Sequence, residues 1–303
     1  MQFLASFIMK GRLQAMLVAA SLALVSIPFP PASIVSSAAV ALVTLRLGAR
    51  EGVYVLLCAC LAAALLGMVT GVGYQFALMY GMVLWLPVWV ISIVLREGRH
   101  LAIAIEIAAL LGVLGVLGFY LYEPKAALVW QDILTTITQP VLQGHPDLSP
   151  DDARLSIQAL SHLMTGLLAT GSVYGLLFGL FLARWWQAVL YNPGGFRAEF
   201  LELKGHKQMA LATLVMIVVA GLTSGLLAEI VWNLILVVSV LYTFVGTAVL
   251  HAAFASMKNS RFMVPFLYLT LILIPHMLVF VALMGVADPW MNLRKKISNQ
   301  TTV

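Results

Sequence analysis

The sequence predicts an all-α fold: a polytopic transmembrane helical bundle of eight or nine spans with interfacial helices, forming a single integral membrane domain over residues 1–303. Three observations predict it. The chain is 62% hydrophobic and only 10% charged, with a mean hydropathy of +1.01, whereas a soluble domain is about 45–50% apolar and about 25% charged. So few charges cannot cover a water-facing surface of this size, and lipid must be the solvent for most of it. The apolar residues also come in runs near span length, about 17–25 residues. Finally, arginines and lysines recur between those runs.

Apolar segments lie near 13–28, 32–45, 53–70, 74–95, 101–122, 160–183, 208–227, 228–250 and 262–286. Lys10 and Arg12 precede the first, and the chain returns to apolar residues at once after Pro28, which suits a retained span rather than a cleaved signal. The first two segments are short and divided by Pro28-Phe29-Pro30-Pro31, so they read either as two short spans or as one broken element. Gly71-Val72-Gly73 predicts a tight turn between the third and fourth. Cys58 and Cys60 are two residues apart inside an apolar run. In a helix they point to different faces, so they read as small hydrophobes rather than a disulfide or metal pair.

Basic residues set the expected orientation. With nine spans and the N-terminus inside, Lys10, Arg12, Arg46, Arg50, Arg96, Arg99, Arg184, Arg197, Lys204, Lys207, Lys258 and Arg261 face the cytoplasm. Lys125 and Arg154 fall outside, as does the tail run Arg294-Lys295-Lys296. The tail breaks the alternation, so either the last segment does not cross or the first two form one span. The net charge of +5 reflects this topology and contact with anionic lipid, not nucleic-acid binding. The localisation read from these features is the bacterial cytoplasmic (inner) membrane, multi-pass.

The external loop 123–159 is acidic, carrying Glu123, Asp132, Asp147, Asp151 and Asp152 against Lys125 and Arg154. Within it, Val129, Trp130, Ile133, Leu134 and Ile137 fall on one broad face of a surface helix. Ser149-Pro150-Asp151-Asp152 reads as a helix start, with Ser149 as N-cap. A helix running unbroken to Ala183 would be roughly 50 Å long and would project from the membrane. Gly171, Gly175 and Gly179 recur every four residues and Gly112, Gly115 and Gly118 every three, stripes that let helix backbones approach.

The densest local signature is the cytoplasmic helix–turn–helix at 184–207. Arg184, Trp185, Trp186 and Gln187 follow directly on an apolar segment, which places the tryptophans at headgroup depth, and Tyr191 ends that extension. Asn192, Pro193, Gly194 and Gly195 then break the chain, because proline cannot continue a helix and the glycines permit positive φ. An amphipathic pattern resumes with Phe196, Phe200 and Leu203 on one face and Arg197, Glu199, Glu202 and Lys204 elsewhere. Read as a site, the turn offers free backbone N–H groups, and Arg184 and Arg197 add charge for an anion or lipid phosphate. Read structurally, it is an aromatic anchor with inside-facing charges.

The run Ala183-Arg184-Trp185-Trp186-Gln187-Ala188-Val189-Leu190-Tyr191-Asn192-Pro193-Gly194-Gly195-Phe196-Arg197-Ala198-Glu199-Phe200, set between two membrane segments, resembles the hallmark loop of the YybS-like predicted membrane proteins, a family of unknown function. The family is grouped by remote similarity with the substrate-binding S components of energy-coupling-factor vitamin transporters. The resemblance implies a helical membrane fold that holds a small ligand, without naming one. The expected number of spans exceeds the usual six of an S component.

Two polar residues inside apolar segments join the candidates, since an intramembrane ionisable group marks a functional site by default. Glu106 lies early in the 101–122 segment, where it pairs with a basic residue such as Arg99 or accepts a proton. His276 follows Pro275, which frees a backbone carbonyl beside it. Asn233 and Glu229 begin the 228–250 segment, and Glu229 is expected to be solvated. His145, His162, His206 and His251 show no metal-ligand spacing. No Walker A loop, GxSxG or paired intramembrane aspartates appear, so no catalytic residue, metal or cofactor is assigned and the chain is not read as an enzyme. The leading reading is a transporter-like protein that binds a small molecule or lipid within the bundle. Its partners would be phospholipid, a small-molecule ligand, and a cytoplasmic or membrane protein at loop 184–207, with oligomer formation allowed and nucleic acid excluded. The alternative is a membrane scaffold or assembly factor without a transported substrate.

Overall fold

The computed structural model describes residues 2–144, 149–255 and 260–292. Every regular element among them is a helix. The chain opens with a short helix, α1 (Gln2–Ile8), and then folds α2 (Arg12–Val25) against α3 (Ala32–Leu47) across the proline-rich turn. Ser36 on α3 donates to the Ala19 carbonyl on α2 at 2.7 Å. The first two apolar segments are therefore two helices, of 14 and 16 residues, rather than one broken element.

α4 (Ala49–Thr70) ends where Gly71 (φ 79°) and Gly73 (φ 88°) take left-handed backbone that other residues rarely adopt. The Gly73 N–H donates to the Gly67 carbonyl at 2.9 Å, closing the expected tight turn. The next span runs through α5 (Tyr74–Tyr80), a π-helical turn at Gly81–Trp85, and α6 (Leu86–Gly98). Pro87 lacks the N–H that would bond Val83, and the wider turn carries the helix past its ring. Trp85 on that turn is fully buried and donates to Ser36 Oγ at 3.1 Å.

α7 (Leu101–Tyr122) is followed by α8 (Ala126–Gly144), α9 (Pro150–Ser161) and α10 (Met164–Tyr191). Ser149 caps α9 as its sequence predicts, accepting from the Asp152 N–H at 3.3 Å. The helix that starts at Pro150 does not run unbroken to Ala183: the chain breaks at His162–Leu163, and α10 then continues past Ala183 to Tyr191. The cause is a side chain from another helix. Asn233 Nδ2 takes the His162 carbonyl at 2.7 Å, and Asn233 Oδ1 takes the Gly166 N–H, so backbone groups at the break are bonded outside the helix.

The remainder comprises α11 (Gly195–Leu201), α12 (Lys207–Leu222), α13 (Gly225–Ala255), α14 (Ser260–Leu273) and α15 (Met277–Met291). Five helices are long and apolar enough to cross a membrane: Ala49–Thr70, Tyr74–Gly98, Leu101–Tyr122, Met164–Tyr191 and Gly225–Ala255. A sixth is added if α14 and α15 count as one span, although they are bent by 120° at the Pro275 break. The difference from eight or nine lies in α2, α3 and α12, which are apolar but only 14 to 16 residues long, below about 17. The tail Arg294-Lys295-Lys296, together with His145, Asp147 and Lys258, lies outside the described residues.

The core centres on α3, which is buried continuously from Ser36 to Leu45, and on the middle of α13. α10 and α13 run parallel, since Gly166 meets Asn233 and Tyr174 meets Thr243. α7 runs against both, with Tyr120 beside Glu229 and Gly112 against Val173 and Val237. Several basic residues gather at one end of the bundle. There Arg96 donates to the Leu45 carbonyl at 2.8 Å, Gln187 reaches the same carbonyl at 3.4 Å, and Arg46 lies 4.1 Å from the Tyr191 ring centroid.

The glycine stripes behave differently from their periodicity. A side chain at Gly171 or Gly175 would meet nothing within 4 Å, and only Gly179 abuts another helix, at Ser37 of α3. Four-residue spacing advances about 40° per step around a helix, so the row drifts off the interface. Of the second stripe, Gly112 is close-packed, while Gly115 and Gly118 are open. The tight seam lies between α13 and α15, where Gly246 faces the Val281 carbonyl and Gly285 faces that of Tyr242.

Candidate functional site

The last turns of α10 and the whole of α11 build the predicted signature. Gly194 takes left-handed backbone (φ 87°), and the Gly195 N–H closes the turn on the Asn192 carbonyl at 3.1 Å. Pro193 lies exposed on this turn. A side chain on Gly195 would come within 2.5 Å of Asn192 Nδ2, so the turn is filled by its own residues. Phe200 and Leu203 turn inward, as the amphipathic pattern predicts.

Arg184 and Arg197 do not converge on one place. The Arg184 guanidinium forks onto Glu199, with Nε donating at 2.9 Å to one oxygen and Nη2 donating to the other. Its Nη1 donates to Gln187 Oε1 at 3.0 Å. The side chain is only 13% exposed, so Arg184 clamps α11 to α10. The two tryptophans also separate: Trp186 is fully buried, whereas Trp185 is 40% exposed and alone fits an interfacial anchor.

Arg197 and Phe196 line a cavity of about 1050 Å³ between α10, α11, α13 and the arm α14. Tyr174, Phe178 and Phe181 supply the α10 wall, and Phe244, Thr243, Thr247 and His251 the α13 wall. Arg261, Pro265, Tyr268 and Ile272 close it from α14. Its rings interlock: Phe181 lies edge-on to Phe244 at 4.9 Å, and His251 sits between Phe200 and Tyr268, 5.6 Å from each. The Tyr174 and Thr243 hydroxyls bond each other at 2.7 Å, and Thr247 donates to the Thr243 carbonyl. His251 Nε2 is buried with no hydrogen-bond partner among the described residues. Among the described residues the lining carries Arg197, Arg261 and His251, and no carboxylate. The space thus combines an aromatic wall with two guanidinium groups.

Most of this site escaped sequence reading, yet it was written there. Thr243, Thr247 and His251 recur every four residues along an apolar helix, and Tyr174, Phe178 and Phe181 follow the helical period on α10. Each stripe presents one chemistry to one side.

The other candidates fall elsewhere. Glu106 pairs with His206, Oε1 to Nδ1 at 2.6 Å, rather than with Arg99. His276 is exposed at the bend before α15 and is not among the cavity's lining residues. The expected solvation of Glu229 is overturned. Its side chain is 13% exposed, accepts from Tyr120 OH at 2.8 Å, and lies 2.6 Å from His162 Nδ1. Asn233 completes this knot, donating to Tyr120 OH at 3.2 Å and to the Glu229 carbonyl at 2.8 Å. The misjudged signal is position: four residues from the helix start looked like the water interface, but the α9–α10 break folds over it.

Comparison with protein-family models, with curated proteins and with solved structures finds no match to this chain.

Proposed function

We propose that this chain is a multi-pass membrane protein of the transporter-like class that binds a small amphiphilic molecule or lipid in the cavity between α10, α11, α13 and α14, and that its basic end faces the bacterial cytoplasm. The observation that carries the reading is the cavity itself. It is a space of about 1050 Å³, at the upper end of ordinary small-molecule sites, lined by aromatic rings and bordered by the one signature loop of the sequence. A solidly packed bundle would instead favour a scaffold. The resemblance of residues 183–200 to the YybS-like proteins supports the same reading, because it implies a helical fold holding a small ligand.

The test is native mass spectrometry of the full chain released from its own membrane, compared with Val264→Trp. Val264 stands on α14, an arm that contributes only Leu267 to the buried hydrophobic residues, so filling the cavity from there spares the bundle. A bound species present in the parent and lost in the variant is the expected result. Retention of the same species in the variant, or an empty parent, would rule the cavity out as a binding site and leave the scaffold reading.

A further inference from the structure

We propose, resting on the cavity reading above, that the occupant is a membrane lipid with an anionic, phosphate-class headgroup, held by Arg197 and Arg261, with its hydrocarbon chain between the aromatic walls. Charge selects the headgroup. Arg12 is paired with Glu51, Arg96 with Glu97 and Arg184 with Glu199. Among the described residues no carboxylate pairs with Arg197 or Arg261, and both border the same cavity. Two uncompensated guanidiniums at one site, with no carboxylate among its described lining residues, set up a positive field that an anion satisfies. Arginine's planar fork suits a phosphate oxygen pair in particular.

Depth selects the chain. The α13 wall runs from Ala255, near the arginines, to Thr243, twelve residues or about 18 Å. That is close to one leaflet of a hydrocarbon core of roughly 30 Å. A headgroup at the arginines therefore leaves its tail beside Phe181, Phe244 and Tyr174, at ordinary leaflet depth. A free anion would use the arginines and leave the aromatic wall without a role.

The delipidated full chain is titrated with phosphatidylglycerol and with phosphatidylcholine of identical chains, and retained lipid is read by native mass spectrometry. The expected preference for phosphatidylglycerol is about tenfold or more, the scale of one charge-assisted contact. Arg197→Gln combined with Arg261→Gln should bring the two lipids to parity with phosphatidylcholine binding intact, which also shows that the fold survives. Arg154→Gln, at the opposite end, should keep the preference. Equal binding of both lipids by the parent, or a preference that persists in the double variant, overturns the headgroup assignment while the cavity reading stands. Displacement of phosphatidylglycerol by excess inorganic phosphate overturns the lipid as source. Binding of neither lipid defeats the proposal, and the parent's native occupancy then decides the cavity reading separately.

Discussion

Along α13, Glu229 and Asn233 near one end and Thr243, Thr247 and His251 toward the other present polar groups at four-residue spacing, yet the two ends use them in opposite ways. At the first end, Asn233 makes four hydrogen bonds, to Gly166, Tyr120, His162 and Glu229, while Glu229 binds Tyr120 and His162. Satisfied polar groups in apolar surroundings fix one arrangement of the helices that carry them. At the second end the hydroxyls bond their own helix or each other, His251 Nε2 is left over, and a cavity adjoins them. The difference separates a lock from a site: both are polar stripes on a membrane helix, and the distinguishing mark is whether bonding capacity is used up.

The largest effect should come from the other face of the second end. Gly246 packs directly on the Val281 carbonyl, so Gly246→Leu forces α13 and α15 apart. Loss of folded protein in detergent extraction is expected. A variant that extracts and melts like the parent would mean that the seam is loose and that the open end of α13 is not braced by α15.

Next comes the lock. Asn233→Leu removes the four bonds of a fully buried side chain, two of them to the buried Gly166 N–H and Tyr120 hydroxyl. At about 1–3 kcal/mol for each group left unsatisfied, the loss should be about 3 kcal/mol or more, read as a lower midpoint in denaturant. Glu229→Gln keeps an oxygen for Tyr120 and should cost less, about 1 kcal/mol. If Asn233→Leu proves as mild as Glu229→Gln, the first end is not a lock and the contrast fails.

Legibility in the sequence followed the same line. Features set by local chemistry were readable: the Ser149 cap, the Gly71–Gly73 turn, the break at Asn192–Gly195 and the inward face of Phe200 and Leu203. Features set by a partner helix were not. The α9–α10 break depends on Asn233, 67 residues beyond Gly166, and the Gly246–Gly285 seam joins glycines that share no period. Within the candidate loop, residue types were legible but their division was not. Arg184 and Arg197 look equivalent flanking a turn, and only the position of Glu199 on α11 consigns one to packing and leaves the other at the cavity.

That division gives a smaller, signed effect. Arg184→Ala removes a forked, half-buried ion pair and should destabilise by about 1–2 kcal/mol. Exposed Arg197→Ala should change stability by about 0.5 kcal/mol or less. Thermal melting of the two variants side by side decides it. Equal losses would mean that both arginines are structural and would remove Arg197 from the site.

The smallest effect tests the open end by its sign. Gly175 lies on α10 one residue after Tyr174, at the centre of a four-residue glycine row that ordinarily marks close helix contact. A side chain there meets no atom within 4 Å, whereas one at Gly246 meets backbone at once. Replacing glycine by alanine in a helix interior gains up to about 1 kcal/mol when nothing obstructs the methyl group. Gly175→Ala should therefore raise stability slightly, by about 0.5 kcal/mol, and Gly246→Ala should lower it. Melting curves in one detergent, with parent and both variants run together, give the comparison. A fall for Gly175→Ala would place another backbone against that row and close the side of α10 next to the cavity wall. A rise beside a fall for Gly246→Ala would show that the glycines holding this bundle together are those that meet a partner, regardless of their spacing along one helix.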